Sequence, residues 1–249
     1  MNIVEIVLLF LAGLASGAIN AVAGGGTFIA FGALTLVGLP PITANATSSI
    51  AQFPGYLTSA LAYRRELAGE MRALVPMILV SLVGGAIGAF ALLALENAEF
   101  RRLVPWLLIG ATTLFAAGPR ITAAMNRRAL RVPRVVGWFV QFVVGVYGGF
   151  FGGGMGIMIL AALGMTEGTA DFHRLNAIKT FLSAVVATVA LVIFSNSDAV
   201  SWPAAVVMIL AVAIGGWGGV QLARRVPNAA IRLFVVTIGV VLTIYYALT

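Results

Sequence analysis

Apolar residues run through this chain in long blocks, interrupted at short intervals by glycine, proline and arginine. The blocks lie near residues 3–22, 43–63, 73–95, 103–118, 135–150, 177–194, 202–222 and 232–248. Each approaches the ~20 residues a helix needs to cross a bilayer core of ~30 Å. Two shorter apolar pieces, near 27–38 and 155–165, each follow a Gly-Gly-Gly triplet. A dozen helical residues rise only about 18 Å, too little to cross alone. The pattern predicts an all-α polytopic membrane protein with about eight long membrane helices, plus short broken or half helices after each triplet.

The pattern also repeats. At an offset of 131, Asn45-Ala46 falls on Asn176-Ala177, and Gly84, Gly85 and Gly88 fall on Gly215, Gly216 and Gly219. Asn97-Ala98 falls on Asn228-Ala229, and Arg101 on Arg232. At an offset of 128, Gly17 meets Gly145 and the triplet 24–26 meets 152–154. Shared order at a nearly constant offset divides the chain into a first repeat, 1–119, and a second, 135–249. Between them lies a basic linker, 120–134, with Arg120, Arg127, Arg128, Arg131 and Arg134, which belongs on the cytoplasmic side. An inverted second repeat brings Arg64, Arg65, Arg72, Arg224, Arg225 and Arg232 to that same side and sends SNSD, 195–198, to the other. Only Arg101 and Arg102, beside Glu96 and Glu99, then oppose the rule. The expectation is two inverted repeats forming one transmembrane domain.

Composition agrees with lipid as the solvent. Of 249 residues, 61% are hydrophobic and 9% charged, where a globular domain carries about a quarter charged. The first block lacks the basic start of a secretory signal and carries Glu5, so it reads as a membrane helix. The net charge of +7 is explained by topology signals between the blocks, leaving no call for nucleic acid as a partner. With no cysteine and a single histidine, His173, thiolate chemistry and a zinc site are excluded. Nothing in the sequence calls for a cofactor or a metal.

The candidate chemistry is polar but not acidic. Every acidic residue lies near a block end or in a loop, whereas cation sites and intramembrane proton relays call for carboxylates at depth. The triplets Gly24, Gly25, Gly26 and Gly152, Gly153, Gly154 match neither G-x-G-x-x-G nor G-x-x-x-x-G-K-[ST]. A helix restarted after such a break presents backbone N–H groups and a positive dipole end, which favour an anion. In RLNAIKTF, Asn176, Lys179 and Ser183 are spaced i, i+3, i+7 on one helix face, with Thr180 beside them. The matching positions of the first repeat, in ANATSSIAQF, are Asn45, Ser48, Ser49 and Gln52. Asn20 adds a further amide at membrane depth. Lys179, the sole lysine, reads either as a ligand or as a side chain snorkelling to the interface. Asn45 and Asn176 read either as ligands or as interhelical and capping groups. The donor-rich set suits a small anionic substrate, with the lipid bilayer as the other partner.

The motifs GAINAVAGGGTF with PPITANATSS, and GVYGGFFGGGMG with RLNAIKT, resemble those of the TauE/SafE sulfite exporter family across nearly the whole chain. The resemblance implies a multi-pass carrier of the bacterial inner membrane, not an enzyme, moving sulfite, a sulfonate such as sulfoacetate, or a related sulfur oxyanion. The second copy departs from the first, with GMTEG where GLPP stands. A carrier of another small anion or of a neutral solute, and more distantly an intramembrane enzyme or assembly factor, are the alternatives.

Overall fold

The computed structural model describes residues 1–22, 24–128, 133–167, 172–222 and 228–248, and among them only helices and their connections occur. The chain forms α1 (Ile3–Val22), α2 (Thr27–Leu36), α3 (Pro41–Ala62), α4 (Arg64–Leu67), α5 (Met71–Leu93) and α6 (Asn97–Arg128). The rest comprises α7 (Arg134–Phe150), α8 (Met155–Glu167), α9 (Phe172–Ser195), α10 (Trp202–Leu222) and α11 (Asn228–Leu248). Eight of these are 17 to 32 residues long. α1, α5, α9 and α10 are both long and apolar enough to cross a membrane. α3 is 22 residues long but carries the polar run TANATSS. Pro41 starts it, a position where a missing N–H and a preset φ cost nothing. α6 continues through Arg128, so the first part of the basic linker is helical rather than a loop; 129–132 lie outside the described residues. Arg224, Arg225 and Asp171 also lie outside them.

The molecule is inside-out relative to a water-soluble domain. Large apolar side chains such as Trp106, Phe90, Phe139, Leu210 and Ile214 are exposed, while Asn20, Asn45, Gln52, Asn176, Lys179 and Ser183 are buried. Lipid satisfies the first set, so the second must be satisfied within the protein.

Register gives the helix directions. Gln52 reaches Ser16 and Asn20 reaches Tyr56, both at a separation of 36, so α1 and α3 run parallel. Consecutive long helices can be parallel only if the chain returns between them, and α2, ten residues or about 15 Å, makes much of that return. Glycines lock α1 against α10: a Cβ on Gly17 would strike the Val212 carbonyl, and one on Gly215 the Leu14 carbonyl. The same occurs between α5 and α7, where Gly88 faces the Val146 carbonyl. Close approach through small residues is how helices associate where burial from water gives no drive.

The contacts interchange between the halves. α1 packs on α10 as α7 does on α5, and α3 packs on α10 as α9 does on α5. α2 sits against α1 and α3 as α8 does against α7 and α9. α3 meets α9 with opposite direction: Tyr63 pairs with Asn176, while Ser49 and Gln52 lie opposite Val186, Ala187 and Ala190.

Candidate site at two facing helix breaks

α1 ends at Val22 and α2 begins at Thr27; between them Gly24 adopts φ +84°. α7 ends at Phe150 and α8 begins at Met155, with Gly152 at +73° and Gly154 at +78°. These left-handed conformations reverse the chain, and glycine alone adopts them without strain. The two breaks touch: a Cβ built on Gly24 would stand 3.0 Å from Gly156 Cα.

A break at depth leaves helix-terminal carbonyls unpaired. Here each half supplies the partner for the other. Asn45 Nδ2 donates to the Phe150 carbonyl at 2.8 Å, closing the end of α7. Asn176 Nδ2 donates to the Ala21 carbonyl at 3.0 Å, closing the end of α1. Lys179 is fully buried; its Nζ donates to the Asn20 carbonyl at 3.0 Å and lies 3.5 Å from that of Ala21. The snorkelling alternative is thereby overturned, because the side chain turns inward to the negative end of α1. The second half has the cation; at the matching place in the first, Ser48 bonds back to the Asn45 carbonyl.

The first half instead carries an uncharged network. Asn20 Nδ2 donates to Gln52 Oε1 at 2.7 Å, and its Oδ1 accepts from Gly26 N at 2.8 Å. Gln52 Nε2 donates to Ser16 Oγ, which donates to the Gly26 carbonyl at 2.6 Å. Tyr56 and Thr27 complete it. Beside this network lies a small cavity, with about 10 Å³ of room for the centre of a water molecule. Its polar wall is Thr27, Ser49, Gln52 and Tyr56; Gly148, Gly152 and Met155 close one side and Val186, Ala187 and Ala190 another.

Of the residues singled out by sequence, Ser49, Gln52 and Gly152 line this cavity. Asn20 and Gly26 belong to the adjoining network, and Gly25 accepts from Phe28 N within the α2 start. Gly153 packs on Phe28 and accepts from Tyr147, and Gly154 lies on Ala111. Asn176, Lys179, Thr180 and Ser183 form a buried face of α9 toward the Arg-rich end, while Asn45 stands at the other end of the α3–α9 contact. Ser16, Thr27, Tyr56 and Tyr63 were missed. The i, i+4 pairs Ser16–Asn20 and Gln52–Tyr56 are the signal that could have found two of them.

A charged pair joins the halves at the same end. Arg174 on α9 grips Glu70 with two bonds, 2.7 and 2.9 Å, just before α5. The Arg174 hydrogen bond, opposed in part by burial, holds the Glu70 carboxyl below its ordinary range. Among the described residues no carboxylate is buried.

Residues 9–246 match the family described as "Sulfite exporter TauE/SafE". The chain belongs to the TauE/SafE family. It is similar to a "Probable membrane transporter protein" of Haemophilus influenzae, 27% identical over 95% of this chain and 92% of that one. It is equally similar to the "Probable membrane transporter protein ORF9" of a Sinorhizobium species, at 27% over 95% and 90%. The "Probable membrane transporter protein YfcA" of Escherichia coli K12 is 24% identical over 95% and 87%. With its apolar helices, this TauE/SafE chain is a multi-pass membrane transporter.

Proposed function

We propose that this transporter exports a small sulfur oxyanion, sulfite or an organosulfonate such as sulfoacetate, across the bacterial inner membrane. The observation that carries the reading is a fully buried lysine, Lys179, at the meeting point of two helix breaks, with no buried carboxylate among the described residues. A cation already committed to backbone carbonyls, rather than to a carboxylate, keeps its charge available to an arriving anion. The family description supports sulfite as the first substrate to test.

The transport cycle follows from two inverted repeats built on eight long helices. Three features support that architecture: the interchange of helix contacts, parallel α1 and α3, and α9 antiparallel to α3. The cavity holds about one water and is too small for sulfite, so binding requires the repeats to part. The positive-inside rule, applied to the basic helix ends, supports a cytoplasmic position for the Arg174–Glu70 pair. The interior of the cell is negative, so an anion leaves it electrically downhill.

Purified protein in liposomes should release sulfite faster than protein-free vesicles under an inside-negative potential; equal rates would end this reading. Another small anion or a neutral solute is the second reading, favoured by the hydroxyl and amide lining of the cavity, which holds no charge. Thermal melting with sulfite, sulfate, thiosulfate, sulfoacetate and taurine separates the two.

A further inference from the structure

Buried polar atoms with no partner are costly, and each calls for an explanation. Six such side-chain atoms occur among the described residues, and three lie on one face of α9: Asn176 Oδ1, Thr180 Oγ1 and Ser183 Oγ. These residues are 0 to 1% exposed. Their spacing, i, i+4 and i+7, stacks them along a single stripe that also includes Lys179. The next turns of that stripe, Ala187 and Ala190, form a wall of the cavity.

The orientation of the Asn176 amide is chemically fixed. Its Nδ2 faces the Ala21 carbonyl, which can only accept, so the other atom must be the carbonyl oxygen Oδ1. Oδ1 can only accept. A fully deprotonated oxyanion offers lone pairs alone and is repelled there. Thr180 and Ser183, by contrast, each hold a hydroxyl proton to donate, and the Lys179 amine beside them has only donors to offer when protonated. The unpaired atoms are therefore one obligate acceptor and two hydroxyls free to donate, beside a lysine held by backbone carbonyls, a set complementary to an oxyanion that keeps one proton.

We infer that this face of α9 binds its oxyanion singly protonated, as hydrogensulfite, with the substrate's own proton donated to Asn176 Oδ1. The inference rests on the proposed sulfur-oxyanion export and narrows it: the cargo is a monoanion carrying its proton, and no ionisable side chain has to supply one. The charged or ionisable groups of the elements packed around the face are mostly gathered at its Arg-rich end. Lys179 lies on α9 itself, Tyr56 lies on α3 and Tyr63 just past its end, and Tyr147 lies on α7. Arg72 begins α5, Arg64, Arg65 and Glu66 lie on α4, which packs against α9, and His173 and the Glu70–Arg174 pair stand at the start of α9. α1 contributes carbonyls, and residues 155–163 of α8 carry no ionisable side chain.

The test is a proton count. Sulfite uptake into proteoliposomes is followed together with lumenal pH from a trapped dye, both corrected for protein-free vesicles. One proton should enter with each sulfite, and methanesulfonate, a monoanion with no such proton, should fail to compete. Thr180→Val and Ser183→Ala replace unpaired hydroxyls by methyl groups or hydrogen. Both should keep the wild-type melting temperature and raise KM about tenfold, the fold-change one hydrogen bond to a charged group is worth. Sulfite entering without protons, competition by methanesulfonate, or an unchanged KM in both folded variants overturns the protonated-substrate inference while leaving sulfite export standing. No sulfite flux at any pH removes the export reading, and this inference with it.

Discussion

Replacing Lys179 by methionine isolates the charge from the shape of the side chain. In the structure Nζ serves two carbonyls, those of Asn20 and Ala21, at 3.0 and 3.5 Å. Without it the Asn20 carbonyl loses its side-chain donor and the longer Ala21 contact also disappears, while Asn176 still serves Ala21. A buried group left unpaired costs about 1–3 kcal/mol. Against this, an ammonium no longer has to be taken from water into the core, which relieves several kcal/mol. The two effects nearly cancel, so stability should change by no more than about 2 kcal/mol in either direction. At the usual scaling for a chain of this size that is a melting shift of at most about 8 °C. Transport has no such compensation, because among the described residues no other buried basic side chain stands on the α9 face. Flux of sulfite in liposomes, normalised to incorporated protein, should fall at least about tenfold, equivalent to about 1.4 kcal/mol. A folded Lys179→Met protein with flux within about twofold of wild type would refute the reasoning and reduce Lys179 to a clasp for the end of α1.

Other perturbations read other parts of the molecule. Gly88→Ala drives a methyl into the Val146 carbonyl, whereas Gly110→Ala and Gly218→Ala meet nothing within 4 Å. The first should lower the melting temperature sharply, and the other two should leave it unchanged or raise it by up to about 1 kcal/mol equivalent of helix propensity. Gln52→Leu strips a donor from Ser16 and an acceptor from Asn20, and should cost about 2–4 kcal/mol by chemical denaturation, with loss of transport. Glu70→Gln removes the pair with Arg174, worth about 1 kcal/mol at this partly exposed position. Because the Glu70 carboxyl is held low, its contribution is complete above the ordinary carboxylate range and disappears as pH falls through the lowered value. Melting curves of wild type and Glu70→Gln should therefore differ at neutral pH and converge in acid.

Much of the helix plan was legible because lipid simplifies the code: apolar blocks must be helices, and what interrupts them must be an end or a break. The blocks at 3–22 and 202–222 coincide with α1 and α10, and both glycine triplets separate a long helix from a short one. The end of α6 was not legible, since the Arg-rich stretch reads as linker by charge yet continues as helix. Side-chain partners were harder still. Lys179 on a polar stripe was visible, but its target is the backbone of α1, 159 residues earlier, and a carbonyl leaves no mark in the sequence. Asn45 and Asn176 were seen as a matched pair, though not that each serves the opposite half. Tyr63 sits beside two arginines with nothing in the sequence to single it out, yet its ring is buried and its hydroxyl receives Asn176.

The reciprocal amide clasp also sets a timetable for synthesis. The Ala21 carbonyl receives its bond from a residue 155 positions later in the chain. At ribosomal speeds of about 5–20 residues per second, about 8–30 s pass between making the acceptor and making its donor. Throughout that interval the end of α1 has unpaired carbonyls that hydrocarbon does not accommodate. The nascent first half must keep that end in contact with water or with the insertion machinery until α9 arrives. Membrane entry of the earliest helix is thus finished by one of the last.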